Sequence, residues 1–452
     1  MVDEENLWPN ISYSEQILSI DIGTSSVRAA LFDGDAKMVR RSLVKISHSP
    51  KTITDGGVEF DADDVLRRVE ESIDRVLVKT KQPISNVAMC SFWHSLVGVD
   101  ERGKPTTPVL TWADRRSREY TPVLQERFDE KETHNRTGAH FHSSFWPAKL
   151  LWLRRERPDV WERTTYWLSL SDVIADRLFG ENVTSISMAS GSGIFDQRKG
   201  DWDGELLRYL KVERSQLPRI ADEGENFSLT KKYARRWPRL AAARWFPAIA
   251  DGVADSIGAG CSTPDNAALM VGTSAAMRVV LDKIPRRIPQ GLWCYHVDRQ
   301  RVIVGGALSD GGNLYALIKQ RFGLKGDLES ELVRRETPDG LVVIPFFHGE
   351  RSTGYDENAR GAIIGMTAEH DGIDVLRAAM EGVAFRLADI YERLSAVTDI
   401  TEIVSSGGAL RQSPTWTQII ADTLGHDLTI NDTEESALRG AVLLAAQTTG
   451  KM

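Results

Sequence analysis

The sequence predicts an α/β protein of two similar domains, each a mixed β-sheet flanked by helices, with a cleft between them. Two segments half a chain apart read alike: IDIGTSSVRAALFD from Ile20 to Asp33, and MVGTSAAMRVVLD from Met270 to Asp282. Each is an apolar run that enters a Gly-Thr-Ser turn and leaves it with strand-like alternation. Around each, strand-like runs come first and an alternation of helices and strands follows, the order of an α/β fold. A chain of 452 residues is also long for one hydrophobic core. The division is expected at 1–248 and 249–452.

In the first half, 16–21, 27–33 and 37–46 read as successive strands, with Asp33-Gly34-Asp35 as the second tight turn. Residues 61–79 read as a helix with Val65, Leu66, Val69, Ile73, Val76 and Leu77 on one face. Strands follow at 86–91 and 96–100, and helices at 115–128, 148–155 and 171–179. The Trp- and Arg-rich stretch 201–247 matches no single period. The second half repeats the order. Strands are expected at 267–272, 275–281 and 301–305, a helix at 312–322 and a buried strand at 341–346. Residues 374–394 form the clearest helix, with Leu376, Met380, Val383, Leu387, Ile390 and Leu394 alternating at spacings of four and three. A strand at 403–406 enters Gly407-Gly408, and helices close the chain at 414–424 and 435–446.

Composition excludes several classes. Charged residues at 27% and apolar residues at 41% are ordinary for a soluble globular protein. A net charge of −8 leaves no basic excess to displace counterions from nucleic-acid phosphates. The basic stretch 231–244 (KKYARRWPRLAAAR) reads as a solvated face or an interface rim. Cys90, Cys261 and Cys294 have no metal-ligand spacing, and so low a count fits a reducing cytosol. The opening MVDEENLWPN lacks the apolar core of a secretory signal. No apolar run approaches the roughly 20 residues needed to span a bilayer. A cytoplasmic protein with no membrane or nucleic-acid partner is expected.

Phosphoryl transfer needs a metal held by carboxylate, donors on the phosphates, and a base near the accepting hydroxyl. Asp21 ends the first strand beside the first turn, a place suited to Mg²⁺ through water, or equally to capping the turn. Thr24, Gly272 and Thr273 are candidate phosphate contacts, since a turn glycine lets the backbone approach a ligand and hydroxyls and amides bind its oxygens. Plain hairpin geometry explains each of them singly. The base candidate is Asp251 in FPAIADGVADSIGAG, a carboxylate at a strand-to-helix corner whose partial desolvation favours taking a proton. Asp255, four residues on, competes with it, and an Asp before Gly is also an ordinary turn. Gly407-Gly408-Ala409, between a strand and a helix, suits a flat purine against bare backbone. Glu434-Glu435-Ser436-Ala437 opens a helix and reads as N-terminal capping. Trp93-His94-Ser95 and Thr111-Trp112-Ala113-Asp114-Arg115-Arg116 combine aromatic faces with hydrogen-bonding groups, as a sugar or polyol requires. Arg115 or Arg116 could also meet a substrate carboxylate. Singly, His94 reads as a structural histidine and the Asp-Arg run as a surface salt-bridge cluster.

With these residues in place, the chain resembles the FGGY carbohydrate kinases of the actin-like (ribonuclease H-like) ATPase superfamily, from Ile17 to about Ala446. GAIIGMTAEHDGIDVLRAAMEG at 361–382 fits the second signature of that family. Lys149-Leu150-Leu151-Trp152-Leu153 through Glu156 fits the first, with a departure at Trp146, where Pro, Ser or Thr is usual. The resemblance implies ATP and Mg²⁺, with Asp21 near the metal and Asp251 as general base. It puts Gly23, Thr24 and Ser25, with Gly272, Thr273 and Ser274, at the phosphates. Gly312, Asn313, Gly407, Gly408, Ala409 and Ser436 fall at the nucleotide, and His94, Ser95, Trp112, Asp114 and Arg115, with Asp251, at the sugar. HSLVGVDERGKP, TWADRRS, RTGAHFHSSFWPAKLLWL and GDWDGELL look like the gluconate kinase branch, with a departure at Ala139-His140-Phe141-His142. The reaction expected is D-gluconate to 6-phosphogluconate. Xylulose or other pentulose and polyol kinases share most of the motifs. Two other classes remain open: a nucleotide-binding, sugar-responsive regulator that phosphorylates nothing, and a plain ATPase. Symmetry statistics favour a homodimer.

Overall fold

The structure is a computed structural model describing residues 16–336 and 339–448, so the opening MVDEENLWPN lies outside the described residues. It divides into two compact units. Of the described residues, the first holds those up to Gly260, Tyr295–Gln300 and those from Thr433; the second holds those in Cys261–Cys294 and Arg301–Asp432. This differs from a single division at 248/249, because the closing helix belongs with the first unit.

In chain order the first unit contributes strands β1 (Gln16–Ile22), β2 (Ser26–Phe32) and β3 (Val44–Ser47), helix α1 (Ala62–Leu77) and strand β4 (Ile84–Ser91). Helices α2 (Trp146–Glu156) and α3 (Leu170–Phe179), strands β5 (Arg244–Trp245) and β6 (Ile249–Ala250) and helix α4 (Asp251–Gly258) follow. The second unit begins with strands β7 (Asn266–Val271), β8 (Ala275–Leu281) and β9 (Val302–Leu308) and helix α5 (Gly312–Arg321). It continues through the hairpin β10 (Val342–Ile344) and β11 (Ala362–Ile364), helix α6 (Gly372–Ser395) and strand β12 (Glu402–Ser406). Helices α7 (Gly408–Gln412) and α8 (Pro414–Leu424) and strand β13 (Leu428–Ile430) complete it. Helix α9 (Ser436–Thr448) returns to the first unit.

The same sheet path occurs twice. In the first unit the order is β5-β4-β1-β2-β3, with β6 also on β4. There β1 is parallel to β4 and antiparallel to β2, and β2 is antiparallel to β3. In the second, five strands run β13-β12-β7-β8-β9, with β7 parallel to β12 and antiparallel to β8. The repeated turns close matching hairpins, Ile22 opposite Val27 and Val271 opposite Ala275. Helix α1 forms as its spacing predicts. The Asp61 carboxylate accepts the Asp64 N–H at 2.8 Å, and Val65, Val69, Ile73 and Val76 are buried. Each such side chain contributes about 1.5–3 kcal/mol. Helix α6 extends the expected span to a capping box between Asp371 and Asp374.

Three expectations change. Of 37–46, only Val44–Ser47 is strand, because Asp33 Oδ1 accepts the N–H groups of Asp35 and Lys37 and turns the chain away. The helix expected at 115–128 shortens to a 3₁₀ turn, Arg118–Tyr120, and Thr121–Arg127 with Pro122 in its first turn. The run at 341–346 is not a buried strand: Val342–Ile344 pairs with Ala362–Ile364 in a sheet of its own, with Val342 and Ile364 exposed. The basic stretch 231–244 is a solvated face, with Lys231, Lys232, Arg235, Arg236 and Arg239 exposed, and it is also anchored. Arg236 pairs with Glu70 at 2.9 Å and Asp74 at 2.8 Å, and Arg239 donates to the carbonyls of Leu77, Thr80 and Gln82, clamping α1. Among the described residues no helix is long and apolar enough to cross a membrane.

Candidate active site

At the carboxyl end of the first sheet, Asp21 of β1 lies in register with Cys90 of β4, and Ile249 of β6 lies on the other side of Cys90. Two residues later Asp251 opens α4, so the chain passes from strand to helix at that carboxylate. Its Oδ1 accepts the Gly252 N–H at 2.7 Å, and the residue is half-buried. Asp255 sits one turn further along α4, about 6 Å away. Burial pushes the Cys90 thiol well up, and the charges of Asp21 and then Asp251 push it further. The two carboxylates therefore bear on one point at the strand ends, the usual place for a ligand in an open α/β sheet.

Asp21 is only 1% exposed. Arg28, opposite it on β2, donates to its Oδ2 and also to Glu435, just before α9. Burial alone would weaken the Arg28 proton, but Asp21 and Glu435 outweigh it and raise the pKa. The thiol of Cys90 donates to Asp21 Oδ1 at 3.4 Å. The first turn is strapped by His48, whose N–H donates to Ser25 O at 2.9 Å and whose Nε2 meets Gly23 O at 2.7 Å. Desolvation lowers the His48 pKa. Thr24 and Ser25 keep exposed surface at the turn. The sequence offered no sign of the His48 strap or of the Arg28–Glu435 pair, because both join residues far apart in the chain.

In the second unit three glycine-bearing segments meet. The Gly312 N–H donates to Gly272 O at 2.8 Å, and the Asn313 N–H to Thr273 O at 3.0 Å. A Cβ on Gly312 would lie 2.5 Å from Gly272 O and 3.5 Å from the Cβ of Ala409. At Gly407 φ is +102°, and a Cβ would lie 2.3 Å from Val271 O. Gly272, Thr273, Ser274, Gly312, Asn313, Gly407, Gly408 and Ala409 thus gather at one end of the sheet. Ser436 belongs to the first unit. Its carbonyl faces Gly258 so closely that a Cβ there would come within 1.8 Å, and its hydroxyl donates to Thr433 O at 3.5 Å.

The expected sugar segments divide. His94, at φ +67°, is half-buried, places Nδ1 2.6 Å from Gly191 O, and packs 4.7 Å from the Phe145 ring. Such a backbone value in a histidine marks a position held by its surroundings. Lys149 holds it: the buried Nζ donates to His94 O at 2.9 Å and Ser144 O at 2.6 Å. Ser95 corrects its expectation. It is fully enclosed, its hydroxyl accepts the Leu170 N–H at 3.0 Å, and its carbonyl takes the Trp146 indole N–H at 2.9 Å. The unusual Trp146 is thereby a support for this loop. Asp114 is corrected too, since it is 1% exposed and spent on Arg116 (2.6 Å) and the Val58 N–H (3.1 Å). Arg116 also pairs with Glu59 at 2.7 Å and keeps 11% of its side chain exposed. Trp112 and Arg115 are half-buried. The Lys149 and Trp146 roles were within reach of the sequence only as members of a signature run.

Among the described residues no group of three or more His, Cys, Asp or Glu side chains could hold a metal ion. Magnesium asks less than that, because it keeps water and substrate-phosphate ligands and needs one or two carboxylates. Asp251, half-buried, fits this demand, whereas Asp21 is enclosed with Oδ2 on Arg28 and Oδ1 on the Cys90 thiol, so it reaches such an ion only through water.

Models for the N-terminal and C-terminal domains of the FGGY family of carbohydrate kinases match residues 16–238 and 267–449. The chain belongs to the FGGY family of carbohydrate kinases. As an FGGY kinase it phosphorylates a sugar with ATP, and its two repeated sheets are those of the actin-like ATPase fold. A gluconokinase of Bacillus subtilis (strain 168) is 28% identical over 456 residues, covering 96% of this chain and 88% of the relative. The crystal structure of a gluconate kinase from Lactobacillus acidophilus matches with a TM-score of 0.88 at 28% identity, over 96% of this chain and 89% of that one. A ligand-bound xylulose kinase from Lactobacillus acidophilus matches with a TM-score of 0.89 at 28% identity, over 96% and 90%.

Proposed function

We propose that this FGGY kinase transfers the γ-phosphoryl group of ATP to a terminal hydroxyl of a sugar acid, with D-gluconate going to 6-phosphogluconate. One observation carries the chemistry: Asp251 stands half-buried at a strand-to-helix corner, two residues past Ile249, whose partner Cys90 is also in register with Asp21. Asp251 takes the hydroxyl proton as that oxygen attacks the γ-phosphorus, the bond to the β-phosphate oxygen breaks, and ADP leaves. Magnesium bound with the nucleotide supplies charge neutralisation on the phosphates. The turn amides of Gly23–Ser25 and Gly272–Ser274 hold the phosphates, and Gly407–Ala409 takes the adenosine. His94, fixed by Lys149, is the leading sugar contact, with Trp112 and Arg115 beside it. The proposed setting is the cytoplasm, where buried free thiols such as Cys90 stay reduced, with two chains paired.

Gluconate is favoured by the gluconokinase likeness along nearly the whole chain. The equally good match to a xylulose kinase makes xylulose the competing acceptor. A coupled assay of ADP release over gluconate, xylulose, ribulose and glycerol tests this. The highest kcat/KM is expected with gluconate. A higher value with xylulose moves the enzyme to the other branch. ATP consumption that no sugar alters removes the proposed chemistry altogether.

A further inference from the structure

A buried carboxylate beside the second turn has no part in the chemistry above. Asp310 is 1% exposed and directly precedes Gly311-Gly312. It sits against the turn, since a Cβ on Gly311 would lie 2.7 Å from the Ser274 carbonyl carbon. Its carboxylate is spent on one residue: His348 donates its N–H to Oδ2 at 3.2 Å and places Nδ1 2.6 Å from Oδ1. The His348 side chain is 44% exposed. With Nδ1–H given to Asp310, the remaining polar atom of that ring is Nε2. Gly312, whose N–H binds Gly272 O, is two residues from Asp310, at most about 7 Å of chain. The ring is thus anchored, through Asp310, to the segment that binds the turn.

We propose that His348 is a phosphate-binding residue of the nucleotide site and that Asp310 positions it. The ring would stand between two anions, the enclosed carboxylate on one side and a nucleotide phosphate on the other. That is a charge-assisted hydrogen bond at a fixed angle. A buried carboxylate that fixes a histidine tautomer is a costly way merely to close a loop, whereas it suits a ring that must meet a ligand. The inference rests on the nucleotide lying against the Gly272 and Gly407 segments.

Calorimetric titration of the full chain with ATP, ADP and adenosine separates the possibilities. His348→Asn keeps a donor where Nδ1 stood but has nothing at the Nε2 position. It should weaken ATP and ADP about tenfold and leave adenosine unchanged. His348→Gln, which restores a nitrogen near the Nε2 position, should recover most of the loss. A loop staple gives the reverse order, with Asn tolerated and Gln harmful, and that result overturns the inference, as does ATP affinity unchanged in His348→Asn. Gly272→Val, which sets a branched side chain against the turn amides, is the control on the site itself. If it leaves ATP affinity unchanged, the nucleotide does not lie on this turn and both proposals fall. A phosphate-specific loss in His348→Asn, in an enzyme that phosphorylates none of the sugars tried, keeps the inference and removes only the substrate assignment.

Discussion

The two Gly-Thr-Ser hairpins share a turn and a sheet position but differ in what surrounds them. Beside the first, a buried Asp21 is gripped by Arg28, which reaches on to Glu435, and Asp251 and the neutral Cys90 thiol complete a polar group at the strand ends. At the matching place in the second, two residues before the turn glycine, stands Met270. Its neighbours are Gly312 and Gly407, where a side chain would strike the backbone. One copy of the repeat has specialised in charge and the other in bare backbone. That division suits a kinase, since proton transfer needs ionisable groups while phosphates and a purine need amides and clear surface.

Removing the charge should do the most damage. Asp251→Asn keeps the size of the side chain and its place at the head of α4. It should lower kcat by about 10³-fold, within the range for loss of a general base, while ATP affinity holds. Steady-state kinetics with the best sugar, beside direct ATP titration, checks both halves. Retained turnover would transfer the role to Asp255 and break the contrast between the hairpins. A smaller, opposite pattern is expected of Gly407→Ala. The left-handed φ and the approach to Val271 O cost about 2 kcal/mol. The loss should appear in ATP affinity and in KM for ATP, with KM for the sugar unmoved. A variant that instead lowered kcat alone would mean the second hairpin takes part in the chemical step.

Much of this contrast was legible in the sequence. The two hairpins announce themselves by repetition, Gly407 by its place between strand and helix, and Asp251 by the strand-to-helix corner. What stayed hidden depends on partners remote in the chain. Ser95 and Asp114 have the right chemistry for a sugar site, yet Leu170 and Arg116 consume them, and no local pattern reveals that. Leu341-Val342-Val343-Ile344 is apolar enough for a core strand, but pairing with Ala362–Ile364 alone leaves one face outside. The basic run 231–244 is solvated as expected, but its partners Glu70 and Asp74 are 162 or more residues earlier and nothing local points to them. Only the fold brings them together.

The burial of charge in the first unit can also be titrated, at Lys149. This side chain is fully enclosed, and burial pushes its pKa from 10.5 to about 7, with Asp114 opposing the shift and Arg116 adding to it. Between pH 7 and 10.5 the unfolded chain holds a proton on this amine that the folded chain has released. Stability must therefore rise with pH across that window. Below pH 7 both states are charged and the dependence disappears. The neutral amine still has two N–H groups for the carbonyls of His94 and Ser144, so the loop keeps its support as the charge is lost. Lys149→Met removes the titration. The stability of the wild type relative to this variant should climb by about 1 kcal/mol between pH 7 and 8, read from denaturant unfolding at each pH. A flat difference would mean that the ammonium is compensated in the folded state by Asp114. The first unit would then hold a neutralised pair at the His94 loop, and its contrast with the second would narrow to the strand ends.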